Sequence, residues 1–248
     1  MPALEFNQTF DYSERMLATR KASTKRARSA HGVSRSPRGA AARDALVGAA
    51  LGLFAERGFS ATSTRQIAAK AGVNISLISY HFGGKDGLRR ACAAAIVERM
   101  RQVAAPALAA AQADLTPQAA ERSLKAAIGS MVNFLLSGDE ARPFVDFILR
   151  EMSDPGPAFE VLYESLFFPI HKAVCRIWGV ATGADPESPQ TRIAVFAAVG
   201  QVVYFRLARP LVRRRLGWEK IGAGEIRAIL DVILANFEAQ LRVARATP

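Results

Sequence analysis

From residue 40 onward apolar residues recur at helical spacing, with Leu46, Val47, Ala50, Leu53 and Phe54 falling on one face. Gly58 follows "FAER" where a left-handed C-terminal cap would sit, and Phe59 is placed to fold back on the last turn. Ser63 and Gln66 have the spacing of a capping box, opening a second helix whose Ile67, Ala68 and Ala71 face inward until Gly72 stops it. Asn74 caps a third helix, which carries Leu77, Ile78 and a "YHF" end before Gly83-Gly84. Lys85 starts a long fourth helix through Leu88, Ala91, Ala95 and Ile96 to near Ala111, with a kink expected at Pro106. Further helices are predicted near 117–137, 140–153, 156–180, 187–215 and 223–244, with Pro210 kinking the fourth of these. Ala and Leu are abundant and β-branched runs bounded by turns are scarce, so the expected fold class is all-α.

Composition narrows the function. A chain of 248 residues that is 50% hydrophobic buries a substantial core, which excludes a disordered or fibrous protein. The formal net charge of +11 points to a polyanionic partner, because Lys and Arg set against phosphates release condensed counterions. Charge alone leaves nucleic acid and an anionic membrane both open. The longest apolar run, 193–205, is well short of the roughly 20 residues that span a bilayer, so no membrane span is expected. Cys92 and Cys175 lie far apart in apolar helical contexts, which argues against a disulfide framework and fits a reducing cytoplasm. No secretory pattern opens the chain. Residues 1–39 carry Arg15, Arg20, Lys21, Lys25, Arg26, Arg28, Arg35 and Arg38 among Ser, Gly and Pro, and read as a disordered basic arm. Two readings of that arm stand side by side: a DNA-contacting segment, or a solvated tail from an over-extended start ahead of Met16.

Two short helices joined by a tight Gly-containing turn behind a supporting helix describe a helix-turn-helix. Gly72 supplies the turn, Asn74 the cap, and Ile67, Ala71, Val73 and Ile78 the apolar angle between the helices. The outward face of the later helix is then the reading face. Ile75 can meet a thymine methyl, and Ser76 and Ser79 can hydrogen-bond bases or phosphates. Tyr80, His81 and Lys85 suit phosphate oxygens, and Arg65 can reach a guanine or a phosphate. The helix N-termini add anion-attracting amides, bringing in Thr62, Ser63, Thr64 and Asn74. Phe82 is expected in the core. No Cys, Asp or second His stands at ligand spacing from His81, so neither a metal nor a cofactor is expected.

The stretch "LFAERGFSATSTRQIAAKAGVNISLISYHFGGKDGL", residues 53–88, resembles the DNA-binding domain of TetR-family transcriptional regulators. The Gly-aromatic pair, the Thr/Ser, Ile-Ala, Ala-Gly-Val, Tyr-x-Phe and the following Lys are all present. Ser79 stands where the family more often has Tyr, and Ile75 where Lys is frequent. "FILREMSDPGPAFEVLYESLFFPIHKAV" and "GQVVYFRLARPLVRRRLGW" are similar to the C-terminal domain of the CecR-like branch, whose members the resemblance implies to be ligand-responsive.

The implied layout is a basic arm over 1–39, an N-terminal three-helix helix-turn-helix domain over 40–84, and a larger C-terminal helical ligand-binding and dimerisation domain over 85–248. Phe147, Arg150, Glu151, Phe167, His171 and Tyr204 are the expected effector-pocket residues. Bland alternatives stand beside them: His171 as a satisfied core histidine, and Arg150 with Glu151 as a buried ion pair. Arg206, Arg209, Arg213, Arg214 and Arg215 read as an acidic-ligand site or as a solvated face. Ile226, Ile229, Leu230, Ile233, Leu234, Phe237 and Leu241 make a wide apolar stripe on the last helix. Part of that stripe reads as core; with the helix around 193–207 the resemblance also implies a four-helix dimer interface there, with Phe196, Val199, Val203, Ile229, Ile233 and Phe237 as its expected residues. The expected protein is a cytoplasmic homodimeric one-component regulator, acting as a repressor. It would bind a pseudo-palindromic double-stranded DNA operator and leave it when a small-molecule effector binds, with no membrane partner. Two rivals remain: an enzyme with its active site in the C-terminal domain, which no nucleophile-base pair, metal-spaced cluster or phosphate loop supports, and a non-specific DNA-compacting protein.

Overall fold

The computed structural model describes residues 37–137 and 142–246; the basic arm, apart from its last residues, lies outside the described residues. Among the described residues the chain forms eleven α-helices and no strand. The first, α1 (Pro37–Arg57), starts just ahead of the expected position. It stops where Gly58 takes φ 84°, and Phe59 then folds back with its ring centroid 5.4 Å from that of Phe54. α2 (Thr64–Ala71) and α3 (Ser76–Phe82) follow, then the long α4 (Lys85–Ala110).

Beyond α4 come α5 (Pro117–Leu136), α6 (Arg142–Ser153) and α7 (Pro157–Leu162). α7 continues through one wide π turn, Tyr163–Phe167, into α8 (Phe168–Thr182). The predicted helix over 156–180 is thus continuous but locally loosened. Pro169 is the physical reason: its ring would press on the carbonyl four residues back in a regular helix, and the wider turn relieves this. α9 (Pro189–Leu207) and α10 (Arg209–Leu216) replace the single kinked helix expected over 187–215, meeting at 72°. The break falls at Ala208, because Pro210 fits the first turn of a new helix, where its missing N–H is not needed. α11 (Ala223–Ala246) closes the chain. No single helix among the described residues is long and apolar enough to cross a membrane.

Two apolar cores form among the described residues. The first joins Leu46, Phe54, Ile67 and Ile78 of the first three helices to Leu88, Cys92 and Ile96 of α4, and to Phe147, Ala158 and Leu162 from α6 and α7. The second gathers Leu124, Val132, Trp178, Val195, Val202, Ile233 and Phe237 from α5, α8, α9 and α11. α4 serves both: its first half belongs to the first core, and Leu108 packs against the second.

Candidate DNA-reading surface and ligand cavity

The turn between α2 and α3 is built as its residues dictate. The Ser63 hydroxyl accepts from Gln66 N at 3.2 Å, while Gln66 Oε1 accepts from Ser63 N at 2.8 Å, closing the capping box. Gly72, at φ 66°, ends α2, and Val73 N donates to the Ala68 carbonyl at 3.1 Å. Asn74 Oδ1 accepts from Ser76 N at 2.9 Å, so Asn74 opens the turn and regular helix begins two residues later. Ile78, 1% exposed, anchors α3 in the first core. Gly83, at φ 71°, stops it.

This anchoring decides what faces out. Ile75, Ser76, Ser79 and Tyr80 are exposed, Tyr80 at 67%, and fall on one side of α3 at positions three and four apart. Ser63, Arg65 and Asn74 are also exposed, and Thr64 is half-buried. His81 is half-buried with its ring edge-on to Tyr80, centroids 4.9 Å apart. Phe82 is half-buried against the first core, under the Arg43 guanidinium at 5.5 Å.

Two of the expected DNA-facing residues are engaged inside the protein. Thr62 is 1% exposed, and its hydroxyl donates to the Gly58 carbonyl at 2.7 Å, with the Leu53 carbonyl at 3.3 Å. Its place is therefore structural: its hydroxyl ties the loop after α1 back to the Gly58 and Leu53 carbonyls. Lys85 donates to the Phe59 carbonyl at 2.6 Å and lies 4.1 Å from the Phe59 ring centroid. Loss of solvation lowers its pKa from the ordinary 10.5, with Asp86 opposing the shift and Arg89 adding to it. The ammonium still has two hydrogens to offer a phosphate.

The expected effector residues divide: three share one cavity and three lie elsewhere. Phe147 sits in the first core with its ring centroid 6.4 Å from that of Phe54. Arg150 and Glu151 do not pair with each other. Arg150 donates to the Ala55 and Glu56 carbonyls at 2.9 and 3.0 Å, capping α1. Glu151 meets Arg89 of α4 at 2.5 Å, in a pair whose side chains are 3% and 8% exposed. These three residues line a cavity of about 300 Å³ shared with Phe59 and Arg89. Phe167 packs against the first core. His171 stacks on Phe196 at 4.0 Å with Nε2 3.3 Å from the Arg192 carbonyl, and Tyr204 is exposed.

None of the six lines the apolar cavity of about 290 Å³ in the second core. Its walls come from Met100, Val103 and Pro106 of α4, Met131 and Phe134 of α5, and Trp178 of α8, completed by α9 and α11. Sequence reasoning missed these positions because an apolar residue lining a void has the same periodicity as one filling a core. Arg89 also escaped notice, since nothing in its spacing distinguishes a buried arginine from a solvated one. Among the expected dimer residues, Ile229, Ile233 and Phe237 are 3%, 2% and 2% exposed and belong to the second core within one chain. Val199 and Val203 are half-buried, and Phe196 is 62% exposed.

A helix-turn-helix head and a helix running from it into a second core define a DNA-binding class of transcriptional regulator. Residues 46–92 match the family model for the bacterial regulatory proteins of the tetR family, and residues 120–242 the C-terminal domain of the HTH-type transcriptional dual regulator CecR. The HTH-type transcriptional dual regulator CecR of Shigella flexneri is 33% identical over 210 residues, covering 83% of this chain and 93% of the relative. The chain belongs to the TetR family of transcriptional regulators. Its fold is shared with a TetR-like regulator from Rhodococcus sp. RHA1 (TM-score 0.60, 20% identity, 81% of this chain and 96% of that one). It is also shared with AibR, solved in complex with isovaleryl coenzyme A and operator DNA (TM-score 0.57, 16% identity, 78% and 96%).

Proposed function

We propose that the protein is a homodimeric repressor that holds a pseudo-palindromic operator with two copies of α3 and releases it when a small molecule enters the second-core cavity. The carrying observation is α4: it starts at Lys85, beside the reading helix, and contributes Met100, Val103 and Pro106 to the cavity wall. A ligand that favours a different α4 position changes the spacing of the two heads, and it weakens DNA binding by as much as its own affinity differs between the two states. The heads must sit about 34–36 Å apart, or a multiple of that, to meet successive turns of the groove.

Ile75, Ser76 and Ser79 are the base-facing set, Tyr80, His81, Lys85 and Arg65 the phosphate-facing set, and Ser63, Thr64 and Asn74 the residues presenting the helix N-termini. The dimer face lies on the outer side of α9 and α11, where Ile193, Phe196, Tyr204, Leu207 and Val232 are between 54% and 67% exposed. An apolar stripe of this kind is unusual on a monomer and supports pairing with a second copy. The test is the double variant Tyr80→Ala with Lys85→Ala. Its affinity in a gel-shift assay for an operator selected from random DNA should fall about tenfold or more, a loss of ~1.4 kcal/mol or more, while sedimentation still reports a dimer. Undiminished operator binding would overturn the assignment of the reading surface.

A further inference from the structure

The second-core cavity is chemically one-sided. Among the described residues that line it none is charged, although the chain carries 33 Lys and Arg. Met100, Met131, Phe134, Trp178 and Phe237 give it thioether and aromatic walls. Trp178 and Phe237 meet edge-to-face at 5.6 Å, which orders that side, whereas methionines adapt to the shape of an occupant. The polar side chains in the lining are Ser123 and Ser130. Ser123 donates its hydroxyl proton to the Ala119 carbonyl at 3.0 Å, leaving lone pairs to accept a hydrogen bond. Ser130 is exposed, at the solvent edge of the cavity.

Resting on the reading of this cavity as the effector site, we infer that the effector is an uncharged, largely apolar molecule with one or two ring systems. An ionised group entering these walls would give up its hydration with no counter-charge to replace it. Size points the same way, since about 290 Å³ lies at the small end of the roughly 300–1,000 Å³ usual for ligand pockets. A coenzyme A thioester, the ligand class named for the AibR complex, carries a nucleotide and several phosphates. It exceeds the cavity and would find no cation in its walls. A neutral ring system with one donor group turned to Ser123 fits both the volume and the lining.

The matched probes are N-phenylnaphthylamine and its sulfonated counterpart, anilinonaphthalene sulfonate, titrated by fluorescence against the full chain and two variants. Ala127→Trp fills the cavity from α5, and Ser130→Lys puts a cation at its edge. Binding lost in Ala127→Trp counts as cavity binding, which sets aside the sulfonate's attraction to the basic surface. The neutral probe should bind saturably and about tenfold more weakly in Ala127→Trp. The sulfonate should show no cavity binding to the natural chain and should gain it in Ser130→Lys. Cavity binding of the sulfonate within about threefold of the neutral probe overturns the uncharged class and leaves the effector-site reading standing. If Ala127→Trp still binds operator yet changes the binding of neither probe, the effector-site reading falls with it. Should Ala127→Trp fail to fold, Ser130→Lys decides alone: unchanged sulfonate binding overturns the inference.

Discussion

Replacing Arg89 by Met should be among the most damaging single changes away from the reading surface. Arg89 and Glu151 are 7% and 3% exposed and joined at 2.5 Å, and Glu151 Oε2 has no hydrogen-bond partner among the described residues. Removing the guanidinium leaves a buried carboxylate with neither oxygen paired, a situation that costs about 3–5 kcal/mol. At about 2–4 °C per kcal/mol for a chain of this size, the melting temperature should fall by roughly 6–20 °C. Met keeps an unbranched apolar stem but removes the guanidinium, whose carbon lies 4.4 Å from the Phe59 ring centroid, so the loss reports the cation's contacts rather than the stem's volume. Changing Glu151 to Leu in the same chain removes the stranded carboxylate, and such replacements of a buried pair are often neutral or better. Thermal and urea melts of Arg89→Met, Glu151→Leu and the double variant form the cycle, and the double variant should recover most of the loss. A single Arg89→Met within about 1 kcal/mol of the natural chain, or a double variant no better than the single, would refute the reasoning.

Thr62→Val should cost about 1–3 kcal/mol, because the Gly58 carbonyl loses a buried donor at 2.7 Å, while operator affinity of the folded fraction stays unchanged. A selective loss of DNA binding without a stability change would restore Thr62 to the reading surface. Phe196→Asp places a charge in the outer stripe of α9, and sedimentation should report a monomer; a persistent dimer would move the interface elsewhere. Glu121 bonds Lys125 and Arg245 at 2.8 and 2.7 Å, and these bonds hold its carboxyl below the ordinary 4.5, Lys125 contributing first. A lowered folded pKa adds stability above the unfolded value and loses it as pH falls through the folded one. Melting curves of the natural chain and Glu121→Gln should therefore differ at neutral pH and converge as pH drops below 4.5.

Wherever local chemistry decides, the fold was legible. Ser63 with Gln66, Gly72 and Gly83 cap or stop a helix where expected, while Asn74, expected as the cap of α3, makes a turn one residue ahead of the N-cap position that Ile75 takes. The helices over the second core were legible as elements because their apolar spacing persists for several turns. Which side of a helix faces its own core and which stays exposed was not. Ile233 and Val232 are adjacent on α11, the first 2% and the second 57% exposed, and periodicity ranks the larger, buried stripe first. Arg150 reads from the sequence as a pocket or ion-pair residue, but its partners are the carbonyls of Ala55 and Glu56, and a main-chain acceptor leaves no mark in the sequence.

Those main-chain acceptors have a consequence for how such proteins diversify. Arg150 holds α1 by two carbonyls, and Lys85 holds the following loop through the carbonyl of Phe59. Side chains on the head can therefore be exchanged without loosening these ties, provided the backbone path at Gly58 and Phe59 is kept. New operator preferences can be explored on the outer face of α3 while the joint to the rest of the chain stays sealed. On the proposed function, a graft that replaces only the outward residues of α3 should keep the ligand response of the parent chain, which would let one C-terminal domain serve many operators.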